Sequence, residues 1–352
     1  MKRREFAHAI AGASAGLAFQ AGAPGGGGSI TDVPGIKVGH FTDTRRPTGC
    51  TAILFDQPAA AGVDYDGSAP GESQIALLQP VSPVERIHAI FLTGGGVLAL
   101  PAHGGVLRFL EERKIGFDWG NPNLRIPIVV SAVIDDLSIG DNRIRPDADA
   151  AYKACAAAAA GPVAEGNVGA GAGATVGKMH RSRGLTGMKG GLGSASVTIG
   201  DLVVGALAVV NAAGDVADWR SGRIIAGARR SDGTFADSGA VMHDIVRGAG
   251  GKGLDDDALR STTLAVVATN AALSKTALTK VAMMANCGAA RAIRPYHTTG
   301  DGDQLFAVST SALTRTDIPL TALGSLAADV VADAIARGVR AAATIDGWIG
   351  LR

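Results

Sequence analysis

The stretch Ser261-Thr262-Thr263-Leu264-Ala265-Val266-Val267-Ala268-Thr269-Asn270 decides how this chain is read. Its β-branched, apolar centre is the pattern of a buried strand, and a hydroxyl residue, Thr262, stands at its mouth. Further on, the paired carboxylates of Asp301-Gly302-Asp303 lead into a second such run, Gln304 to Ser309. If the peptide bond before Thr262 is cut, one residue supplies both a hydroxyl nucleophile and, in the freed α-amine, its base. A threonine at the start of a strand is also an ordinary structural choice, because β-branched side chains fit a pleated surface. Thr263 is the rival hydroxyl, but successive strand side chains point to opposite faces, so the two cannot share a site.

Outward from this run, strands alternate with helices. Ala52–Phe55, Ala89–Leu92 and the β-branched run Ile126–Ala132 read as strands, the last with Pro127 near an edge. Pro101 to Arg113 reads as a helix, with Glu111, Glu112 and Lys114 at its polar end. Asp147 caps another that runs to Ala160 and stops at Gly161-Pro162. Ser196–Ile199, Leu202–Val210 and Ile224 form an expected meander, and a charged loop from Asp255 to Ser261 precedes the Thr262 strand. Ser274 caps a helix over Lys275–Ala290, whose apolar positions fit a 3.6 period, and Ala322–Ala343 supplies the last helix. With no internal repeat and no domain boundary, the pattern predicts one α/β sandwich domain over residues 29–352, with helices covering mixed sheets on both outer faces.

Composition narrows the function. The chain has 352 residues, 47% of them hydrophobic, enough for a large core. A net charge of +1 with no basic run argues against nucleic acid or an acidic membrane surface as partner. Gly is abundant (50 residues) and falls between apolar runs, as in tight connections, while aromatics are only 4%, leaving Ala, Val, Ile and Leu to build the core. Cys50, Cys155 and Cys287 show no CxxC pairing, so a disulfide framework is not expected. The seven His lack HExxH or other paired ligand spacing, so no metal site and no cofactor are predicted. At the start, Lys2-Arg3-Arg4-Glu5-Phe6 precedes a weakly apolar stretch ending in Ala21-Gly22-Ala23, and glycines 25–28 mark a join. Residues 1–28 read as a twin-arginine-type export signal, too short and too Gly/Ala-rich to span a membrane. Periplasmic or secreted localisation follows; a plain N-terminal tail on a cytoplasmic protein is the alternative.

Several motifs carry a resemblance over most of the chain after residue 29. They are "ITDVPGIKVGH" (30–40), "FLTGGGVLAL" (91–100), "SAVIDDL" (131–137), "GDNRIRPDADAAYKAC" (140–155), "GAGAGATVGK" (169–178), "MKGGLGSASV" (188–197) and "RAIRPYHTTGDGDQLFAVST" (291–310). In this order, with Thr262 between the last two, they resemble the β-aminopeptidase / L-aminopeptidase D-Ala-esterase/amidase family, which includes nylon-oligomer hydrolases and a pantetheine hydrolase. The resemblance implies a four-layer αββα sandwich like that of N-terminal-nucleophile hydrolases. It also implies self-cleavage at Ser261–Thr262 into residues 29–261 and 262–352, with Thr262 as nucleophile and its own amine as base. Lys178 matches a lysine of the catalytic network, and Asp301 and Asp303 come near the nucleophile to orient its amine or bind a substrate ammonium. Asn211, a neutral amide fixed at a strand end, suits an oxyanion donor. Two positions depart from the family. Ser261 stands where Asn or Gly is common, which bears on the processing rate. Asp135 stands where many relatives carry a Tyr that helps stabilise the tetrahedral intermediate; an ionised carboxylate cannot do this, so either Asn211 and a backbone N–H suffice or Asp135 binds the substrate amine instead.

Each residue also has a plainer reading. Asp301-Gly302-Asp303 in isolation is a solvated turn, Asn211 a turn residue, and His297 a packing residue that orients the Asp301 turn. The glycine loop before Lys178 is no phosphate cradle, since Ala172 replaces the required Gly and Met179 the Ser or Thr. Gly12-Ala13-Ser14-Ala15-Gly16 matches a nucleophile-elbow pattern but lies in the export segment. The sequence thus predicts an amidohydrolase that releases N-terminal residues from small peptides, amino amides or esters through an acyl-enzyme, and a homo-oligomer of processed pairs. An ω-amino amide hydrolase and a non-catalytic binding protein on the same fold are the alternatives.

Overall fold

The computed structural model describes residues 28–121, 123–248, 261–314 and 317–352. The export segment with its nucleophile-elbow decoy, and the charged loop up to residue 260, lie outside the described residues. Strands β1 (Ile36–Thr42), β2 (Gly49–Asp64) and β3 (Ile87–Thr93) come first, then helix α1 (His103–Glu111), β4 (Val129–Val133) and α2 (Ala148–Ala156). They are followed by β5 (Gly191–Ile199), β6 (Leu202–Asn211) and α3 (Ser238–Val246). The last four elements are β7 (Thr262–Ala271), α4 (Lys275–Ala292), β8 (Gln304–Leu313) and α5 (Leu320–Arg340).

The strands form one nine-stranded ladder in the order β5-β6-β7-β8-β2-β3-β4 and then Glu72–Ser73, with β1 beside β2. Pairing is antiparallel except between β7 and β8 and between β3 and β4. The ladder folds into two stacked layers because β2 serves both. Its first part pairs with β1 and β3, and Ala60–Asp64 pairs with β8. The register shifts between Leu54 and Ala59, where Asp56-Gln57-Pro58 is exposed; proline, lacking an N–H, is accommodated at such an irregularity. Those polar residues break the apolar pattern, which is why the sequence showed only the short run Ala52–Phe55.

Alternation along each strand separates three cores. Leu264, Val266, Leu207, Val209, Phe306 and Val308 face inward and meet Ile53, Ile90 and Val130 of the other layer. Their neighbours Ala265, Val267, Ala206 and Ala307 face outward onto α4 and α5, while Ala52, Phe91 and Val129 face α1 and α2. The result is the four-layer αββα sandwich. Burying each Val, Leu, Ile or Phe side chain contributes about 1.5–3 kcal/mol. Small residues bring the helices close to the sheets: a Cβ on Gly193 of β5 would lie 2.7 Å from Gly338 Cα of α5.

Helix boundaries differ from the sequence reading for identifiable reasons. Asp147 does cap α2, accepting from the Ala150 N–H at 2.8 Å, but the helix ends at Ala156 because Ala159 leaves to exchange backbone hydrogen bonds with Val38 of β1. The run at Pro101 begins in a 3-10 segment, Gly96–Ala102, before α1. Ser274 caps α4 through the Ala277 N–H. Ile224 does not continue the β5–β6 hairpin; it joins a separate small sheet with Asp215–Ala217 and Ile293–Arg294.

Candidate active site

Thr262 is the first residue of β7, held between β6 and β8 with Asn211 directly opposite. It shares the parity of Leu264 and Val266, so its side chain lies on the face between the two sheet layers; Thr263 shares that of Ala265 and faces the helices. The two hydroxyls diverge as strand geometry requires. Asn211 has the parity of Leu207 and Val209, which puts it on the Thr262 face.

The bond before Thr262 is gripped from several directions. The Thr262 hydroxyl donates to the Ser261 carbonyl oxygen at 2.7 Å, and the Gly302 N–H donates to the same oxygen at 2.9 Å. Ser261 pairs as an isolated parallel bridge with Asp301. On the other side, the Thr263 N–H donates to Asp303 Oδ1 at 2.6 Å. Asp301-Gly302-Asp303 is therefore not a solvated turn: both carboxylates are buried, 2% and 1% exposed. Gly302 is required here, since a Cβ would lie 2.8 Å from the Thr262 hydroxyl oxygen and 2.6 Å from the Ala69 carbonyl oxygen.

The carboxylates are not equivalent. Asp301 Oδ2 accepts the Thr298 N–H at 2.8 Å, whereas Oδ1 is buried with no hydrogen-bond partner among the described residues. Burial and the neighbouring Asp303 push its carboxyl up to about 6, against the opposing pull of the Thr298 hydrogen bonds and the Lys178 charge. An orphan acceptor in such a place suits an ammonium group.

Lys178 is buried and donates to Asn211 Oδ1 at 2.8 Å and to Thr175 Oγ1 at 3.2 Å. The Thr175 N–H also reaches Asn211 Oδ1, at 3.0 Å. Because lysine and a backbone N–H only donate, this end of the amide must be its oxygen, and the NH2 faces the other way, donating to the Asp135 carbonyl at 3.2 Å. Asn211 is thus pre-oriented as a hydrogen-bond donor. Asp135 touches it through the main chain; its half-buried carboxylate accepts the Leu137 N–H at 2.9 Å.

Sequence reasoning missed the groups that hold this arrangement. Fully buried Lys189 donates to the carbonyls of Gly171, Ala174 and Gly190, fixing the loop that carries Thr175 and Lys178; burial, opposed by Asp136 and aided by Lys178, lowers its ammonium to about 7. Asp136 forms a fully buried ion pair with Arg46 at 2.8 Å and accepts from Thr48 and the Gly95 N–H, bracing the Asp135 segment. Lys189 was in view within "MKGG", but a partnership with main-chain carbonyls leaves no mark in residue types. Among the described residues no group of three or more His, Cys, Asp or Glu is arranged to hold a metal ion.

The profile of peptidase family S58 matches residues 28–351. The chain is 37% identical over 348 residues to an uncharacterized aminopeptidase of Mycobacterium tuberculosis (strain ATCC 25618 / H37Rv), covering 91% of this chain and 95% of that one. It is 31% identical over 323 residues to a 6-aminohexanoate-oligomer endohydrolase of Kocuria sp. (strain KY2), covering 86% and 84%. Among solved structures, the L-aminopeptidase D-Ala-esterase/amidase of Ochrobactrum anthropi, a variant of the N-terminal-nucleophile hydrolase fold, superposes with a TM-score of 0.64 at 22% identity, over 89% of this chain and 86% of that one. The chain therefore belongs to peptidase family S58, a hydrolase of peptide or amide bonds on an N-terminal-nucleophile hydrolase fold.

Proposed function

We propose that this protein cuts its own Ser261–Thr262 bond and then uses Thr262 to hydrolyse small molecules that carry a free amine beside an amide or ester. The observation that carries the reading is the Ser261 carbonyl oxygen, which accepts the Thr262 hydroxyl at 2.7 Å and the Gly302 N–H at 2.9 Å. In the first stage Thr262 Oγ1 attacks the Ser261 carbonyl carbon. Negative charge develops on an oxygen that already has a backbone donor aimed at it, the arrangement that stabilises a tetrahedral intermediate. The C–N bond breaks, the nitrogen takes up the proton, and water hydrolyses the resulting ester to leave a Ser261 carboxylate and a Thr262 amine.

In the second stage that amine, with an ordinary pKa of about 8, accepts the hydroxyl proton as Thr262 attacks the substrate carbonyl. Asn211 donates to the oxyanion, Lys178 keeps the amide turned that way, and Asp301 and Asp303 hold the ammonium of Thr262 or of the substrate. The amine passes its proton to the leaving nitrogen, and water then releases the acyl group. Asp135 joins in binding the substrate amine once its carboxylate leaves the Leu137 N–H. The processed pairs associate as a homo-oligomer.

A second reading, hydrolysis of ω-amino amides, is favoured by the likeness to the Kocuria 6-aminohexanoate-oligomer endohydrolase. A panel of α-, β- and ω-amino anilides, each also supplied N-acetylated, separates the substrate classes. Cleavage of one free-amine series and none of its acetylated partners is expected. Equal cleavage of acetylated compounds would contradict a site built around an ammonium.

A further inference from the structure

The turn that carries the carboxylates holds one titratable side chain that the mechanism above leaves unused, His297. Its backbone lies in the left-handed region, φ 53°, a conformation that among non-glycine residues Asn, Asp and His tolerate best. The ring stacks on Tyr296 with centroids 4.0 Å apart. It places Nδ1 3.4 Å from Asp303 Oδ2, the oxygen that also accepts the His297 backbone N–H at 3.2 Å. Both ring nitrogens are buried with no hydrogen-bond partner among the described residues, so Nδ1 meets Asp303 as a charge contact only. Since Asp303 Oδ1 holds the Thr263 N–H, a single carboxylate links this imidazole to the residue next to the nucleophile.

The charges that act on this corner come from three places. Asp301 and Asp303 belong to the same turn, Asp64 and Asp66 lie at the end of β2, and Lys178 acts on Asp301 from the glycine loop. Asp64 is anchored by Asn286 of α4, which donates to Asp64 Oδ2 at 2.8 Å and accepts the Tyr296 hydroxyl, also at 2.8 Å. Carboxylates gathered in a part-buried corner repel one another and take up protons unless cations offset them. Asp64 is raised by burial and by Asp66, and lowered by Asn286 and His297. For His297, burial pulls downward, but the adjacent Asp303 carboxylate together with Asp64 and Asp66 outweighs it and raises the imidazole above its usual value. The ring thus carries its charge in the pH range in which Asp301, at about 6, gains its proton.

We propose that His297 is a positioning residue whose imidazolium holds Asp303 Oδ2 in place, keeps Oδ1 on the Thr263 N–H, and so governs how self-cleavage responds to acid. The inference rests on the reading of Thr262 as nucleophile. It leaves the roles of Thr262, Asn211 and Lys178 unchanged and adds a cation that acts through Asp303.

The test follows self-cleavage of the full chain made by cell-free translation and shifted to buffers from pH 4.5 to 9, for wild type, His297→Asn and Thr262→Ala. Asn suits the left-handed backbone and removes the charge. With the cation beside the turn removed, the acid limb of the His297→Asn profile is expected to move upward by about one pH unit. The rate at pH 8 stays within a few fold of wild type. A lowered rate at every pH with the limb unmoved would make His297 merely structural, and an unaltered profile would give it no role; either overturns the proposal. Cleavage of Thr262→Ala would instead overturn the reading of the nucleophile. If His297→Asn does not fold, NMR titration of His297 in the uncut Thr262→Ala chain decides the matter. An imidazole pKa above about 6.5 that falls in the Thr262→Ala, Asp303→Asn double variant supports the proposal, and no change contradicts it.

Discussion

Asp301 is buried beside Asp303, and its carboxyl keeps its proton up to about 6 instead of the usual 3.8. A carboxyl whose folded pKa exceeds its unfolded one opposes folding: the penalty is absent below pH 4, grows between 4 and 6, and persists above. At ~1.4 kcal/mol per unit the penalty is on the order of 2–3 kcal/mol. Asp301→Asn is therefore expected to raise Tm at pH 7 and leave it unchanged near pH 3.5 while abolishing turnover, which melting curves and the anilide assay read together. Wild-type activity should fall as pH drops through about 8, where the Thr262 amine takes up a proton, and fall further through about 6, because protonated Asp301 no longer attracts an ammonium. At this scale Thr262, Asp301 and Asp303 stood out only as candidates, because a strand-entry threonine is ordinarily structural and an Asp-Gly-Asp run ordinarily a solvated turn; the resemblance supplied their expected roles. Asn211 and Lys178 needed the family resemblance. Lys189 and the Arg46–Asp136 pair were not legible, because their partners are main-chain atoms or residues distant in sequence, joined only by the fold.

The elements owe their closeness to glycines and alanines. Gly288 of α4 faces the Ala328 carbonyl of α5, and a Cβ there would collide with it. In an exposed helix Gly→Ala gains roughly 1 kcal/mol, but here the overlap with backbone outweighs that gain. Gly288→Ala is expected to lower stability by about 1–3 kcal/mol, and a higher urea midpoint would show that the helices can part without cost. Leu264→Ala in β7, between the sheet layers, should cost about 2–5 kcal/mol. Most strands and the long helices were readable from apolar periodicity. The double use of β2 was not, because exposed Asp56-Gln57-Pro58 looks like an end when only one strand is considered. Nor was the end of α2, which β1 decides by pairing with Ala159.

Across the whole molecule, the cut proposed at Ser261–Thr262 does not divide the structure into separable parts. Residues 262–352 supply β7, β8, α4 and α5, two adjacent strands and the helical layer that covers them. Separation of the fragments would expose the cores on both faces of that sheet layer. The cut chain is therefore expected to elute from size exclusion as one species and to melt in one transition, with separation only in denaturant. The four-layer plan followed from the family resemblance, and local periodicity alone supported no more than an α/β sandwich.

Intact mass with a denaturing gel, for the purified wild-type chain beside Thr262→Ala, tests whether the chain cuts itself at Ser261–Thr262. Two wild-type fragments, one running from Thr262 to Arg352, and a single uncut chain in the variant are expected. A wild-type chain that stays whole while hydrolysing amides, or a variant cut at the same bond, would contradict self-cleavage by Thr262.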